Sequence, residues 1–265
     1  MKKLNVNAAV LDLRQLSEET LDAYESCTLA TVVALTNRRA QNLLARKGVR
    51  LDTALTINSE EELEVNVING KVTLDGNGIP EKKQVLVVNG KLFLKPEAAA
   101  VLDNYESIVV NGKIYCPASM SSRVLARCLV NGKACVYPDD AVVLNGTVKL
   151  DRSFLLRAQP RLYWAERVFV AADPKLDAAA LAATGAHFAG PKAILTESNA
   201  AVLAPLFSED TQLIVLPDGT TVLDDDLELD KNAFRRCGTR LYVMGDVTVA
   251  DGTEELLKKL EYFHA

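Results

Sequence analysis

Val85-Leu86-Val87-Val88-Asn89-Gly90-Lys91-Leu92-Phe93-Leu94 decides the fold, because the chain repeats it. Ser107–Pro117 reads Ser-Ile-Val-Val-Asn-Gly-Lys-Ile-Tyr-Cys-Pro, and Cys128–Pro138 carries Leu-Val-Asn-Gly-Lys-Ala-Cys-Val-Tyr between its ends. An earlier copy lies at Val65–Leu74 and a degenerate one at Val142–Leu150. The asparagines stand at 69, 89, 111, 131 and 145. A motif returning at about 20 residues predicts stacked repeats.

Two local structures fit one copy. Asn-Gly between β-type runs is a strong hairpin signal, since both residues accept the positive φ of a type I′ turn. A hairpin with one wet face alternates apolar and polar residues, whereas Val85–Val88 is apolar throughout, as in strands covered on both faces of a parallel sheet. The following segments favour the parallel reading. Pro96-Glu97-Ala98-Ala99-Ala100-Val101-Leu102 follows one copy, and Pro117 through Arg127 the next. Proline at the start of an Ala/Leu-rich run marks a helix N-terminus, where its missing N–H costs nothing. The unit is then strand, Asn-Gly bend, short extended piece and helix, and it buries its apolar face only by stacking on its neighbours. A row of hairpins on helices stays open as the alternative.

Leu102-x-x-Tyr105-x-x-Ile108-x-Val110-Asn111 resembles the Leu-x-x-Leu-x-x-Leu-x-Leu-x-x-Asn pattern of leucine-rich repeats. The Asn here follows the strand directly, Gly stands behind it, and few positions are Leu. The resemblance covers residues 65–150 and implies an architecture, a horseshoe or ribbon that binds ligands on a sheet face. It brings no catalytic residues.

The fold class expected is an α/β repeat solenoid of strand–turn–helix coils with a parallel sheet and a C-terminal capping helix. No linker rich in Gly, Ser or Pro divides it, so residues 1–265 read as one domain. Residues 1–58 are strand–helix units, 59–150 the Asn-Gly repeats, 151–252 degenerate repeats and 253–265 the cap. In the first part, Ala8–Leu13 and Thr28–Thr36 are strand candidates. Ser17 and Asn37 are N-caps, the second opening a helix over Arg38–Arg46 that Gly48 stops. Glu60-Glu61-Glu62 and Asp75–Gly78 are solvated loops. Beyond Leu150, strands are expected at Val168–Ala171, Lys192–Thr196, Gln212–Leu216 and Leu241–Val249. Helices are expected at Leu176–Thr184 and Asn199–Phe207. Thr253–Phe263 places Leu256, Leu257 and Leu260 on one helical face, the expected cap for an open end.

Composition bounds the function. The 265 residues carry a net charge of −5, which supplies no electrostatic footprint for nucleic acid. Aromatic content of 6% is thin for base-stacking platforms. Asn5, Asn7, Asp12 and Arg14 interrupt any leader-like apolar core after Lys2-Lys3, and no stretch approaches a membrane span. Five cysteines, at 27, 116, 128, 135 and 237, form no Cys-x-x-Cys pair and read as reduced thiols of a cytoplasmic protein.

Chemistry is sparse. His187 and His264 are the only histidines, so a nucleophile–histidine machine has to run through His187. The spacings of Cys116, Cys128 and Cys135 match no zinc pattern, and no phosphate-binding glycine loop is present. Asp224-Asp225-Asp226, with Glu228 and Asp230, is the best carboxylate cluster, though its spacing is not that of a calcium loop, and such a run reads first as a solvated turn. Phe93 and Tyr115 share a position after their glycines and can stack on adjacent coils, either as core packing or as an exposed recognition stripe, and Tyr137 falls nearby. With Lys91, Lys113 and Lys133 they are the candidate interaction surface. The function expected is a non-enzymatic protein-interaction or scaffold module without cofactor, partnered by another protein or by itself. The alternative is a carbohydrate-active or other hydrolase using Asp224–Asp226.

Overall fold

Parallel pairing organises this mixed α/β chain. A computed structural model describes residues 2–60, 63–78 and 80–265. Contacts divide the chain into two compact units, one running to Ala134 and one from Cys135.

The first unit opens with β1 (Lys3–Asp12), α1 (Glu18–Asp22), β2 (Ser26–Thr36), α2 (Arg38–Arg46) and β3 (Arg50–Asn58), the strands pairing in the order β1-β2-β3. Both expected N-caps form: the Ser17 hydroxyl accepts from the Thr20 N–H and the Asn37 side chain from the Ala40 N–H. Leu43 and Leu44 of α2 are buried, and Gly48 follows the helix at φ +62°. β3 is a strand beyond the two strand–helix units expected. Its Leu51, Thr53, Leu55 and Ile57 alternate inward between exposed neighbours, the period-2 signature of a strand.

The repeats follow as β4 (Glu64–Leu74), β5 (Gln84–Leu94), β6 (Tyr105–Pro117), α3 (Ser121–Arg127) and β7 (Cys128–Tyr137), which crosses the unit boundary. The strands pair in the order β4-β5-β6-β7. The Asn-Gly pairs at 69, 89, 111 and 131 each lie inside a strand and do not turn the chain back, so the hairpin alternative fails. Asn69 pairs with Asn89 and Asn89 with Asn111, in parallel. A type I′ turn needs positive φ at both central residues, and among the described residues only glycines have it. Instead the Asn89 amide donates to the Asn69 side-chain oxygen (2.9 Å), Asn111 to Asn89 (2.8 Å) and Asn131 to Asn111 (2.9 Å). Glycine is needed for space as well as for φ. A Cβ on Gly112 would fall far inside van der Waals contact distance of the Gly90 carbonyl oxygen, and 3.0 Å from its carbon.

Continuous apolar runs arise because both faces are covered. Leu86, Val88, Ile108 and Val110 pack with Ala98, Leu102 and Val124 from the segments behind. Val85, Val87 and Val109 pack against Val33, Leu35 and Ile57. Each such side chain contributes about 1.5–3 kcal/mol when fully buried. The helices after these repeats are short: 3-10 turns at Pro96–Ala100 and Leu102–Asn104, and α3. Glu61 and Glu62 of the first expected loop lie outside the described residues.

The second unit contains β8 (Val142–Leu144), β9 (Thr147–Lys149), α4 (Arg152–Leu155), β10 (Leu162–Ala165), β11 (Val168–Ala171), α5 (Ala178–Ala183), β12 (His187–Ala189), β13 (Lys192–Thr196), α6 (Glu197–Leu203) and β14 (Gln212–Leu216). β15 (Thr221–Leu223), β16 (Leu227–Leu229), α7 (Lys231–Cys237), β17 (Arg240–Val243), β18 (Val247–Val249), α8 (Glu254–Leu257) and β19 (Tyr262–His264) complete it. The parallel sheets run β12-β10-β8, β14-β13-β11-β9, β15-β17-β19 and β16-β18. Leu150, Phe169, Leu181, Phe188, Leu195 and Leu203 form the main core. Val170, Ile194 and Leu216 pack with Tyr242 from the next sheet. Asn199 is buried because it has full partners: its oxygen accepts from the Thr196 N–H (3.0 Å) and its amide donates to the Ala171 carbonyl (2.6 Å).

The terminal helix is corrected. Only Glu254–Leu257 is helical, and Tyr262–His264 pairs in parallel with Arg240–Tyr242. Leu260 packs on the Leu227–Leu241 core from the connection between them. Aromatic residues favour the half-buried strand surface, and four helical residues are too few to outweigh that pairing.

Candidate functional site

The sequence-derived surface does not form as one exposed stripe. Phe93 and Tyr115 stack face to face with centroids 4.2 Å apart and planes 4° apart, and both rings are buried. The shared register of their repeats brings them together, and burial makes the pair packing. Tyr137 is also buried, its ring 5.9 Å from that of Trp164. Lys91 and Lys113 are half-buried and Lys133 is exposed. Lys71, from the first copy, lies 4.5 Å over the Phe93 ring, a cation–π contact.

The acidic run does not act as one cluster. Asp224 pairs with Arg167 at 2.7 Å, Asp225 faces solvent, and Asp226 accepts from the Asp246 N–H at 2.8 Å. Asp230 caps α7 by accepting from the Ala233 N–H. Among the described residues no three His, Cys, Asp or Glu side chains gather as a metal-binding group. His187 is exposed at the start of β12. His264 stacks on Tyr242 at 4.9 Å. Cys116 and Cys128 share the first unit's core. Burial, and secondarily Cys116, pushes the Cys128 thiol up to about 12, which suppresses the reactive thiolate.

Two recesses are lined by groups with structural duties. One of about 380 Å³ has Lys149, Asp151, Asp173 and Thr220 on its wall. Asp151 caps α4, Asp173 accepts from the Lys175 N–H, and the Thr220 hydroxyl donates to the Pro217 carbonyl. The other, about 460 Å³, lies beside Glu18, Arg39 and Arg46. Glu18 pairs there with Arg46 (2.6 Å) and Lys47 (2.9 Å), and its hydrogen bond from Lys47 holds its carboxyl below the ordinary range.

The feature that sequence reasoning missed is the end of a sheet. β14 is the last strand of β14-β13-β11-β9. Leu213 pairs with Ala193 and Val215 with Leu195, so the four share a sheet face. Ala193 and Leu195 are fully buried, yet Leu213 is 39% and Val215 51% exposed. β13 runs straight into α6, but β14 runs into a turn closed by the Thr220 N–H on the Pro217 carbonyl. The chain then enters another sheet at β15. The core row therefore ends uncovered beside a strand edge, with exposed Glu209 and Asp210 just ahead of it. The visible signal was Pro217-Asp218-Gly219, turn residues where the preceding strand has a helix.

A membrane role finds no helical support: among the described residues no helix is long and apolar enough to cross a bilayer. No protein-family profile, no curated protein and no solved structure matches this chain.

Proposed function

We propose that the chain is a non-enzymatic α/β repeat solenoid that works as a protein-interaction or scaffold module, and that β14 is its docking strand. The observation that carries this reading is the 39% and 51% exposure of Leu213 and Val215, side chains continuing a buried core row at an unpaired strand edge. Such an edge offers unpaired N–H and C=O groups for main-chain bonding, and its side chains supply selectivity. Parallel in-register pairing at about 20-residue steps supports the solenoid part of the reading.

The test is affinity capture with three forms: the native chain, Val215→Lys, and Leu156→Lys at a residue 78% exposed elsewhere. Captured partners, a second copy of the chain included, should be lost with Val215→Lys and kept with Leu156→Lys. Equal capture by all three, or none by the native chain, overturns the proposal.

A further inference from the structure

We propose that the partner of β14 is β1 of a second copy, added in parallel, so that the chain associates head to tail. This deepens the docking-strand reading and rests on it.

Charge is the first argument. Exposed Glu209 and Asp210 precede β14, and exposed Lys2 and Lys3 stand at the start of β1. β1 is itself the outer strand of β1-β2-β3. All the paired strands in both sheets run parallel, and a parallel addition sets the two basic residues beside the two acidic ones. Antiparallel pairing of β14 with another β14 instead brings Glu209 and Asp210 toward Asp218, a like-charge arrangement.

Register is the second argument. Aligning Lys3 with Asp210 places Val6 beside Leu213 and Ala8 beside Val215. Val6 packs toward the α2 side of its sheet, with Leu29, Ala40 and Leu44. Ala193, beside Leu213 on the same face, packs toward Leu181 and Leu203 of α5 and α6. The helix-facing rows of the two copies thus meet, and the exposed Asn5 and Asn7 of β1 fall on the opposite face. A one-residue slip would invert every side chain, so the charges and the apolar row select the same alignment. Because the two edges differ, the contact is heterologous and either closes into a ring or continues as a filament.

The experiment is sedimentation velocity with light scattering on the purified full chain, up to about 1 mM because short interfaces are weak. The native chain should gain mass with concentration. The paired reversals Glu209→Lys/Asp210→Lys and Lys2→Glu/Lys3→Glu should each raise the dissociation constant at least about tenfold. Mixing the two reversed chains should restore association, since each then meets an opposite charge, and recovery also shows that both variants are folded. A native chain that stays monomeric, association unmoved by the reversals, or a mixture that fails to recover overturns the proposal. Loss of lysate capture with Val215→Lys alongside a monomeric native chain would leave β14 as a docking strand for another protein and remove only the self-pairing.

Discussion

Replacing Gly112 by alanine tests the Asn-Gly ladder at one of its close backbone approaches, and Gly70→Ala is its internal control. Both glycines sit in Asn-Gly-Lys triplets and both have positive φ, +145° at Gly112 and +102° at Gly70. An L-residue is strained at either position, by about 1–3 kcal/mol. They differ in what a Cβ meets. At Gly70, in the outer strand, nothing lies within 4 Å. At Gly112 the added carbon collides with the Gly90 carbonyl, a backbone group that no rotamer change can move aside. Relief requires β5 and β6 to separate, which costs about 1–3 kcal/mol as overpacking. It also stretches the hydrogen bond from Asn111 to Asn89, worth about 1 kcal/mol. Gly112→Ala should therefore destabilise by about 2–4 kcal/mol more than Gly70→Ala, a large share of an ordinary domain's 5–15 kcal/mol. Urea melts followed by far-UV circular dichroism give the difference. Hydrogen exchange over 105–117 should place the loss in β6. Failure of Gly112→Ala alone to fold has the same sign. Two variants within about 1 kcal/mol of each other would refute the close-approach account.

Two further outcomes follow from the same core. Asn111 both donates to Asn89 and accepts from Asn131, so Asn111→Leu should cost about twice what Asn131→Leu costs, at roughly 1 kcal/mol per lost bond; equal costs in urea melts would show that the ladder does not carry the load. The Cys128 thiol, pushed up to about 12 chiefly by burial, should resist iodoacetamide at mildly alkaline pH in the folded chain and react after denaturation. Its folded pKa lies above the unfolded value of about 8.5. Its stabilising contribution is therefore whole below that pH and fades as pH rises toward 12. Cys128→Val should flatten this part of the stability–pH curve, and an unchanged slope would count against it.

Most of the framework was legible because short-range rules governed it. Ser17 and Asn37 stand ahead of helical runs, and both cap them. Val85–Val88 reads as doubly covered, and its two faces do pack on separate cores. The spacing of Asn89 and Asn111 matches the register in which they pair. Where the reading failed, distant structure decided. The charges and polar residues of Arg50–Asn58 masked an alternating strand. Leu256, Leu257 and Leu260 mark a helical face, but the Tyr262–His264 strand takes the chain after one turn. The shared position of Phe93 and Tyr115 predicts their stacking, and of the two environments open to the pair, core packing and an exposed stripe, the structure shows the first. The β14 edge was the least legible feature, because exposure of Leu213 and Val215 depends on where the chain goes afterwards.

The fading of the Asn-Gly mark beyond residue 150, while parallel pairing persists, has a chemical reason. A side-chain amide both donates and accepts, so identical asparagines stack: Asn131 on Asn111, Asn111 on Asn89, Asn89 on Asn69. That ladder extends by copying one residue. An ionised carboxylate only accepts, and a column of carboxylates repels itself. An acidic residue in the same place is therefore tied to a backbone donor and not to a matching side chain. Glu166, between β10 and β11, accepts from the Gly146 N–H (3.3 Å), and Asp226, between β15 and β16, accepts from the Asp246 N–H (2.8 Å). Threonine offers a third solution near the start of the chain, where the Thr53 hydroxyl lies 2.9 Å from the Leu55 carbonyl and 3.3 Å from that of Val32. Once the rung is an acid it bonds a backbone N–H and not the same side chain on the next strand, so copying one residue no longer extends the ladder, and the sequence repeat dissolves although the spacing survives. Asp226 accordingly belongs with Asn89 and Glu166 as a strand-to-strand tie, and the functional weight shifts from the acidic run to the uncovered edge of β14.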